Sequence, residues 1–443
     1  MVEEELVACH KIYKISNNGR GEMAEEGGLG AFWRTLTIPN YRNYMAGNFV
    51  SQTGLWTQRI AVQWITWELT GSTTWLGIIA FVDFFPIVVM APLAGAYADR
   101  IERLRGIRLF VFLSAILSAI IAFLAISDQL NEYILSGLVL LNGTVLAFNY
   151  PFRLAIIHQL VGRDALTSAI SINSVGFNIA RIGGPALAGA IISLWGIGPA
   201  VIFTVVADVI FILALYSVHP IGGDTRPEAK PASAIPREIK EGFRYAMGHK
   251  GIAPLVIVLT ITTIFGRPLN ELLAGFSDAV FGMGVSGLAW LTAMYGLGGL
   301  IGCIELACYS GIEGLTRKMV RNVLVISIAV FGFVATDNFY VGLCSIALLG
   351  YTLAVIGVVE QSLMQASIPD EMRGRMMSLY SLISRGCPGI GALMMGYLGS
   401  FEGLRLPVGI GAILCIVVWL WIRRRQDLMA AHLERMPDDP KPV

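Results

Sequence analysis

Apolar residues recur along this chain in runs much longer than the buried face of a soluble helix requires. Bounded by Gly, Pro, Asn or charge, they fall near 43–69, 74–97, 107–126, 133–157, 166–193 and 199–218 in the first half. The second half repeats the pattern near 252–274, 287–309, 319–336, 339–364, 376–399 and 406–422. A helix needs about 20 mostly apolar residues to cross a hydrocarbon core, so each run predicts one crossing. The pattern thus predicts an all-α integral membrane protein with twelve transmembrane helices in two pseudo-symmetric six-helix bundles, 43–218 and 252–422. Between them, residues 219–251 carry Gly222-Gly223-Asp224, Pro227, Pro231 and Pro236, then Arg237 to Tyr245 with mixed charge. This reads as a loop followed by an amphipathic surface helix. Residues 1–42 and 423–443 are expected to be polar tails.

Composition sharpens the class. The chain is 55% hydrophobic and only 14% charged, against about 25% charged in an ordinary soluble domain. A net charge of +1 over 443 residues leaves no field for nucleic acid. Charge placement is more telling than the sum. Of 32 Lys and Arg, 27 fall in the tails and loops on one side, Arg405 stands alone on the other, and Arg59, Arg181, Arg267 and Arg385 lie inside runs. That asymmetry places both termini in the cytoplasm of a multi-pass protein, with a bacterial inner membrane as the expected location. The first 30 residues contain Glu3-Glu4-Glu5 and Glu25-Glu26 but no hydrophobic segment, which excludes a signal peptide, and Met23 is an alternative start.

Enzyme chemistry finds no foothold. Cys303, Cys308, Cys344, Cys387 and Cys415 sit in apolar runs without metal spacing, and His158, His219, His249 and His432 lack a nucleophile motif nearby. No Gly loop precedes Lys-Ser/Thr, which argues against ATP as the energy source. Neither a cofactor nor a metal is expected.

The two halves repeat one another. Arg181 precedes Gly184-Pro185 in the fifth run and Arg385 precedes Cys387-Pro388 in the eleventh, each after a charged loop; such internal repeats mark secondary transporters. Gly95-Ala-Tyr-Ala-Asp99-Arg100-Ile-Glu-Arg103-Leu-Arg105 resembles the signature loop between spans two and three of the major facilitator superfamily. Asn178-Ile-Ala-Arg181-Ile-Gly-Gly184-Pro185-Ala-Leu-Ala-Gly189 is similar to the span-five motif of its antiporters. With Leu69-Thr-Gly-Ser72-Thr-Thr-Trp75-Leu-Gly77, the chain looks like the exporter branch containing macrolide efflux pumps and the enterobactin exporter. In the signature loop, Gly95 is read as letting helices approach and Asp99 as facing a helix N-terminus. The resemblance implies that this helix is span eleven, that spans one, four, seven and ten line a central pathway, and that spans two and eleven, and five and eight, meet between the halves. The chain departs from the family in lacking the Gly and paired basic residues after Asp99-Arg100, in the weak motif at Gly311 to Lys318, and in carrying Asp83.

Charged groups inside a membrane usually face a cavity or a partner. On span one, Asn48, Gln52, Arg59 and Gln63 share a helical face. Asn142, Asn149 and Arg153 do so on span four beside Pro151, and Thr260, Thr263, Arg267 and Glu271 on span seven. Span ten adds Glu360 and Gln361. Arg267 and Glu271 are spaced for an ion pair within one helix; alternatively, protonation of Glu271 releases Arg267 to an anion. Asp83 and Arg385 lie at similar depths and are expected to pair across the halves, as is Arg181 with Glu305 or with Asp208. Asp83, Glu271 and Asp208 are the candidate proton carriers, Asp83 and Glu271 foremost. Together these readings predict a monomeric secondary transporter exporting an amphipathic small molecule in exchange for protons by alternating access. Arg59 and Arg267 suggest an anionic group on that molecule. Uptake or facilitated passage of an organic anion, siderophore or lipid-like solute is the alternative, and a non-transporting scaffold or sensor the reading from another class.

Overall fold

The computed structural model describes residues 29–98, 101–162, 165–219, 235–309 and 311–434, and these form helices joined by short turns, with no strand among them. The helices of the first half are α1 (Leu29–Leu36), α2 (Pro39–Thr70), α3 (Thr73–Ala98), α4 (Arg103–Ile126), α5 (Glu132–Leu160), α6 (Leu166–Trp195) and α7 (Ile197–Tyr216). After α8 (Ile235–Gly248) come α9 (Ile252–Phe265), α10 (Gly284–Ala307), α11 (Leu315–Val334), α12 (Phe339–Ser367), α13 (Asp370–Glu402), α14 (Arg405–Arg423) and α15 (Gln426–Leu433).

Local chemistry sets the ends. Pro39 opens α2, where its missing N–H costs nothing. Asn131 caps α5 by accepting from the Ile134 N–H, and Asn338 caps α12 by accepting from Tyr340 and Val341. Gly71, at φ +56°, closes α2 with its N–H on the Trp67 carbonyl.

Nine of the described helical segments are long and apolar enough to cross a membrane. Three further long helices, α2, α11 and α13, fall short of that measure. Polarity is the reason: α2 carries Asn48, Gln52, Arg59 and Gln63, while α11 and α13 open on Arg317-Lys318 and Asp370-Glu371.

The seventh run departs from the sequence reading. It does not stop near 274. After α9 the backbone tightens into a 3-10 segment at Arg267–Leu272, which contains Pro268, and widens into a π segment at Phe276–Val280. Proline removes an N–H from the ladder and forces the break. Broken helices at membrane depth are tolerated where protein or a cavity surrounds them; here the break holds Arg267, Glu271 and Asp278.

Within the first half α2 packs on α6 and α7, and α3 on α5; within the second α10 and α11 pack on α12. The halves meet along α3 with α13 and α6 with α10. Glycines permit the closeness. A Cβ at Gly77 would lie 2.5 Å from the Ala392 carbonyl oxygen, and one at Gly189 would overlap the Ala289 methyl. Among the described residues, none lies within 4 Å of a Cβ built at Gly95. On α3 it is Gly77 that faces α13 directly.

Among the described residues, three side-chain hydrogen bonds join the halves on the face away from the linker α8. Thr73 donates to the Gly396 carbonyl at 2.7 Å, Ser193 and Ser286 share a hydrogen bond of 3.1 Å, and the Trp67 indole donates to Asp278 at 2.9 Å. On the linker side, Glu241 of α8 pairs with Arg375 of α13 at 3.1 Å, so the linker helix rides on the second half. The expected C-terminal tail is partly folded: Met429 and Leu433 of α15 are fully buried. The Glu434 carboxylate accepts from the N–H groups of Gly314 at 2.8 Å and Thr316 at 2.7 Å, capping α11.

Candidate functional site

Arg59 lies five turns into α2, where its guanidinium meets the Asp83 carboxylate of α3 at 2.5 Å. It also lies 5.4 Å from the Trp56 ring centroid and 5.2 Å from that of Phe84, a cation–π setting. One turn further along α2, Gln63 donates its Nε2 to Glu271 Oε2 at 3.0 Å. Asn270 donates to the other carboxylate oxygen at 3.3 Å. The 3-10 break turns this stretch of backbone so that Glu271, on the second half, reaches a helix of the first.

Arg59, Gln63, Asp83 and Glu271 line a partly open cavity. Leu55, Gln58, Val62, Leu76, Ile79, Ile121, Val139, Asn142 and Leu146 complete most of its wall. The polar members are tied from behind: Ser118 donates to Gln58 at 2.9 Å, and Ser114 to Asn142 at 3.3 Å. The lining combines apolar walls with a few polar groups, as small-molecule sites do. Glu271 is its contribution from the second half.

A second polar cluster sits nearer the linker side of the first half. Arg153 of α5 donates to Asn48 at 2.9 Å and to Ser51 at 3.1 Å, and Ser51 donates to Asp208 of α7 at 2.7 Å. Asn48 donates to Asn173 at 3.2 Å, and the Arg153 guanidinium lies 4.8 Å from the Phe211 ring. Four helices are thereby stitched together around one buried charge pair. Gln52 is half-buried between the two clusters, and Asn149 is buried with its Oδ1 unpartnered.

In the second half, Arg267 donates to the Ser384 carbonyl at 3.2 Å. Glu360 is 1% exposed, its Oε1 lacks a hydrogen-bond partner, and Arg267 is a charged neighbour. Gln361 is exposed. The hydroxyls of Thr260 and Thr263 bond to their own helix backbone, at 2.8 Å to Val256 and 2.5 Å to Leu259.

Several expected pairings are not formed. Asp83 joins Arg59 rather than Arg385, because both sit on adjacent helices of one bundle; Arg385 instead lies 4.5 Å over the Tyr150 ring of α5, across the halves. Arg267 turns from Glu271 to α13, since the 3-10 backbone removes the four-residue helical register on which that pair depended. Arg181 reaches neither Glu305 nor Asp208. It packs against Gly299 of α10, while Glu305 bonds Tyr351 and pairs with Lys318 at 2.7 Å. Gly184 packs on Trp56 of α2, with its carbonyl accepting from Thr57 at 3.2 Å; Pro185 lies inside α6, and Gly189 serves the interface with α10. In the signature loop Arg103 donates to the Ala155 carbonyl at 3.2 Å, whereas Asp99 and Arg100 lie outside the described residues.

Sequence reasoning missed Gln58, Ser51, Ser114, Asn173, Asn270 and Asp278. Isolated polar residues in an apolar run were the available signal, but their partners lie on other helices. Asp278 was lost with the misplaced end of the seventh run.

A family model described as transmembrane secretion effector matches residues 31–439. The chain is 24% identical over 394 residues to the staphyloferrin A transporter of Staphylococcus aureus, covering 87% of this chain and 96% of that protein. It is 24% identical over 347 residues to macrolide efflux protein A of Streptococcus pyogenes, covering 77% and 85%. Among solved structures, a bacterial homologue of the human lysosomal transporter Spinster, inward-facing and unoccupied, superposes with a TM-score of 0.67 at 16% identity, covering 93% of this chain and 100% of that one.

Proposed function

The chain belongs to the transmembrane secretion effector family of major facilitator transporters, and from that premise we propose that it is a proton-coupled exporter of an amphipathic small molecule. In this reading all twelve long helical segments cross a bacterial inner membrane with the linker and termini in the cytoplasm, and a monomer alternates access by rocking α2–α7 against the second bundle around the cavity.

The observation that carries the reading is the Asp83–Arg59 and Gln63–Glu271 cluster in that cavity. A carboxylate from the second half is held there by a helix of the first, so its bond must break when the halves separate on the far side. Removing a partner from a buried charged group is costly unless the charge is neutralised or re-paired. Uptake of a proton by Glu271 supplies the neutralisation, and binding of substrate supplies the re-pairing. Trp67 to Asp278, one turn further out, closes the same seam. The contacts at Thr73–Gly396 and Ser193–Ser286 fit a state closed on the far side.

The test uses proteoliposomes holding the full chain and a pH-reporting dye under an imposed pH gradient. A panel containing a macrolide, a hydroxycarboxylate siderophore and cationic and anionic dyes is added in turn. At least one member is expected to dissipate the gradient faster than in protein-free liposomes, and Glu271→Gln is expected to abolish the effect. A panel with no effect on the gradient overturns proton-coupled export.

A further inference from the structure

Helix α8 has two unlike faces. Gly242 and Ala246 turn into the second half: a Cβ at Gly242 would lie 3.0 Å from the Arg375 carbonyl oxygen, and Ala246 is fully buried. Beside them Glu241 is drawn to the Arg375 guanidinium. The opposite side carries Lys240, Phe243, Arg244 and Met247, which the helical period gathers into one stripe. All four are exposed, Phe243 at 52% and Met247 at 40%. Lys250, just past the helix, is exposed as well. Lys240, Arg244 and Lys250 pair with no acid among the described residues.

Chain connectivity fixes where this stripe lies. α8 ends at Gly248, and α9, which opens a membrane-crossing segment, begins at Ile252. The turn between them is tight, with the His249 N–H on the Ala246 carbonyl at 3.2 Å and the Ala253 N–H on the His249 carbonyl at 3.0 Å. Three residues of at most about 3.3–3.6 Å each keep the end of α8 at the membrane boundary. The end of α14 marks the same boundary. Arg423 lies 5.1 Å over the Trp419 ring and Arg425 4.7 Å over that of Trp421, and Trp gathers at headgroup depth. α15 joins the two places, since a Cβ at Gly251 would lie 2.9 Å from that of His432. Water is a poor neighbour for Phe243 and Met247, whereas the acyl boundary suits both and headgroup phosphates suit the cations beside them.

We propose that the outer face of α8 is a binding surface for anionic phospholipid, with Lys240, Arg244 and Lys250 on headgroup phosphates and Phe243 and Met247 at the acyl boundary. A zwitterionic headgroup brings a cation of its own to three cations that have no acid, so the face discriminates by net lipid charge. Each cation near an anionic surface contributes about fivefold in affinity. Glu241 and Gly242 fasten α8 to α13, so the lipid is held by the second half. The surface lies outside the cavity and holds whatever the cargo or direction of transport.

The test places a bimane label at Gly248→Cys in the full chain lacking its six native cysteines. No described residue lies within 4 Å of a Cβ at that position. The labelled protein is held in phosphatidylcholine nanodiscs that contain the same small fraction of spin-labelled phosphatidylglycerol or spin-labelled phosphatidylcholine, and quenching of bimane is followed. The anionic quencher is expected to occupy the face at least tenfold better than the zwitterionic one, and the preference to shrink as sodium chloride is raised from about 0.05 M to about 0.5 M. Lys240→Gln, Arg244→Gln and Lys250→Gln together should bring the two lipids level. Lys240→Arg, Arg244→Lys and Lys250→Arg, which keep the charge, should retain the preference; thermal melting checks that both variants are folded. Equal quenching by the two lipids, or a preference that survives loss of all three cations, overturns the inference. Absence of quenching by either lipid puts the face away from the membrane and overturns it too. Relief of quenching by glycerol 3-phosphate identifies a soluble phosphate as the ligand, which likewise overturns it.

Discussion

Asp83 and Arg59 illustrate how a membrane interior constrains single residues. Each alone would be expensive at this depth, about 2.5–3.5 kcal/mol on insertion scales, and together they share one site at 2.5 Å. Asp83→Asn leaves Arg59 without its counter-charge but keeps the side-chain shape. In the proposed cycle, the freed guanidinium turns to Glu271 and competes with proton and substrate there. Proton-driven flux is expected to fall at least tenfold, read in the proteoliposome assay, with partial recovery in Asp83→Glu. Glycines make a complementary case. A Cβ at Gly298 would overlap the Ala347 carbonyl and one at Gly350 the Tyr295 carbonyl, both backbone atoms that cannot rotate away, whereas none of the described residues lies within 4 Å of a Cβ at Gly95. Gly298→Ala and Gly350→Ala are each expected to destabilise the protein by about 1–3 kcal/mol, the usual cost of overpacking. Gly95→Ala should stay within about 0.5 kcal/mol. Melting temperatures in detergent distinguish the three.

Among the elements, the junction of α8 with α15 carries a pH dependence of definite sign. The imidazole rings of His249 and His432 lie 6.0 Å apart, and the Tyr245 ring lies 6.1 Å from His249. Burial, and then the neighbouring His432, hold His249 below its ordinary range. The unfolded state therefore binds the more protons as pH falls, so the junction's stability rises with pH. Its contribution is complete above the free-histidine value of about 6.5 and is lost as pH falls through the lower folded value. Amide protection over 426–434, taken relative to the intrinsic exchange rate at each pH, is expected to fall between pH 7.5 and pH 5.5, and His432→Gln to weaken that response. The same junction shows why the C-terminal segment is helical: Met429 and Leu433 find a buried place, and Glu434 satisfies two N–H groups that α11 would otherwise leave free.

At the scale of the whole molecule, the far-side seam is what the proposed alternating-access cycle has to open. Ser193 and Ser286 face one another there at 3.1 Å. Ser193→Cys with Ser286→Cys, in a background lacking the six native cysteines, is expected to cross-link on oxidation and stop transport, with recovery on reduction. Cross-linking that leaves transport unchanged would show that the halves do not part along this seam.

Much of this body was legible in the sequence. The helical class, the break between the halves and the exporter family follow from apolar runs, charge asymmetry and local motifs, because bilayer thickness and backbone satisfaction act on contiguous stretches of chain. The polar stripes of α2 and α5 were legible for the same reason, since helical period is local. Partner choice was not. Depth and spacing suggested Asp83 with Arg385 and Arg267 with Glu271, but a side chain reaches only a few ångströms, and which helix stands within reach depends on packing. The 3-10 break at Pro268 redirected Arg267 to Ser384 and Glu271 to Gln63. The sequence by itself determined that a few charges would sit inside a two-bundle membrane protein; only the tertiary structure decided which of them would meet, because partner choice depends on how the helices pack.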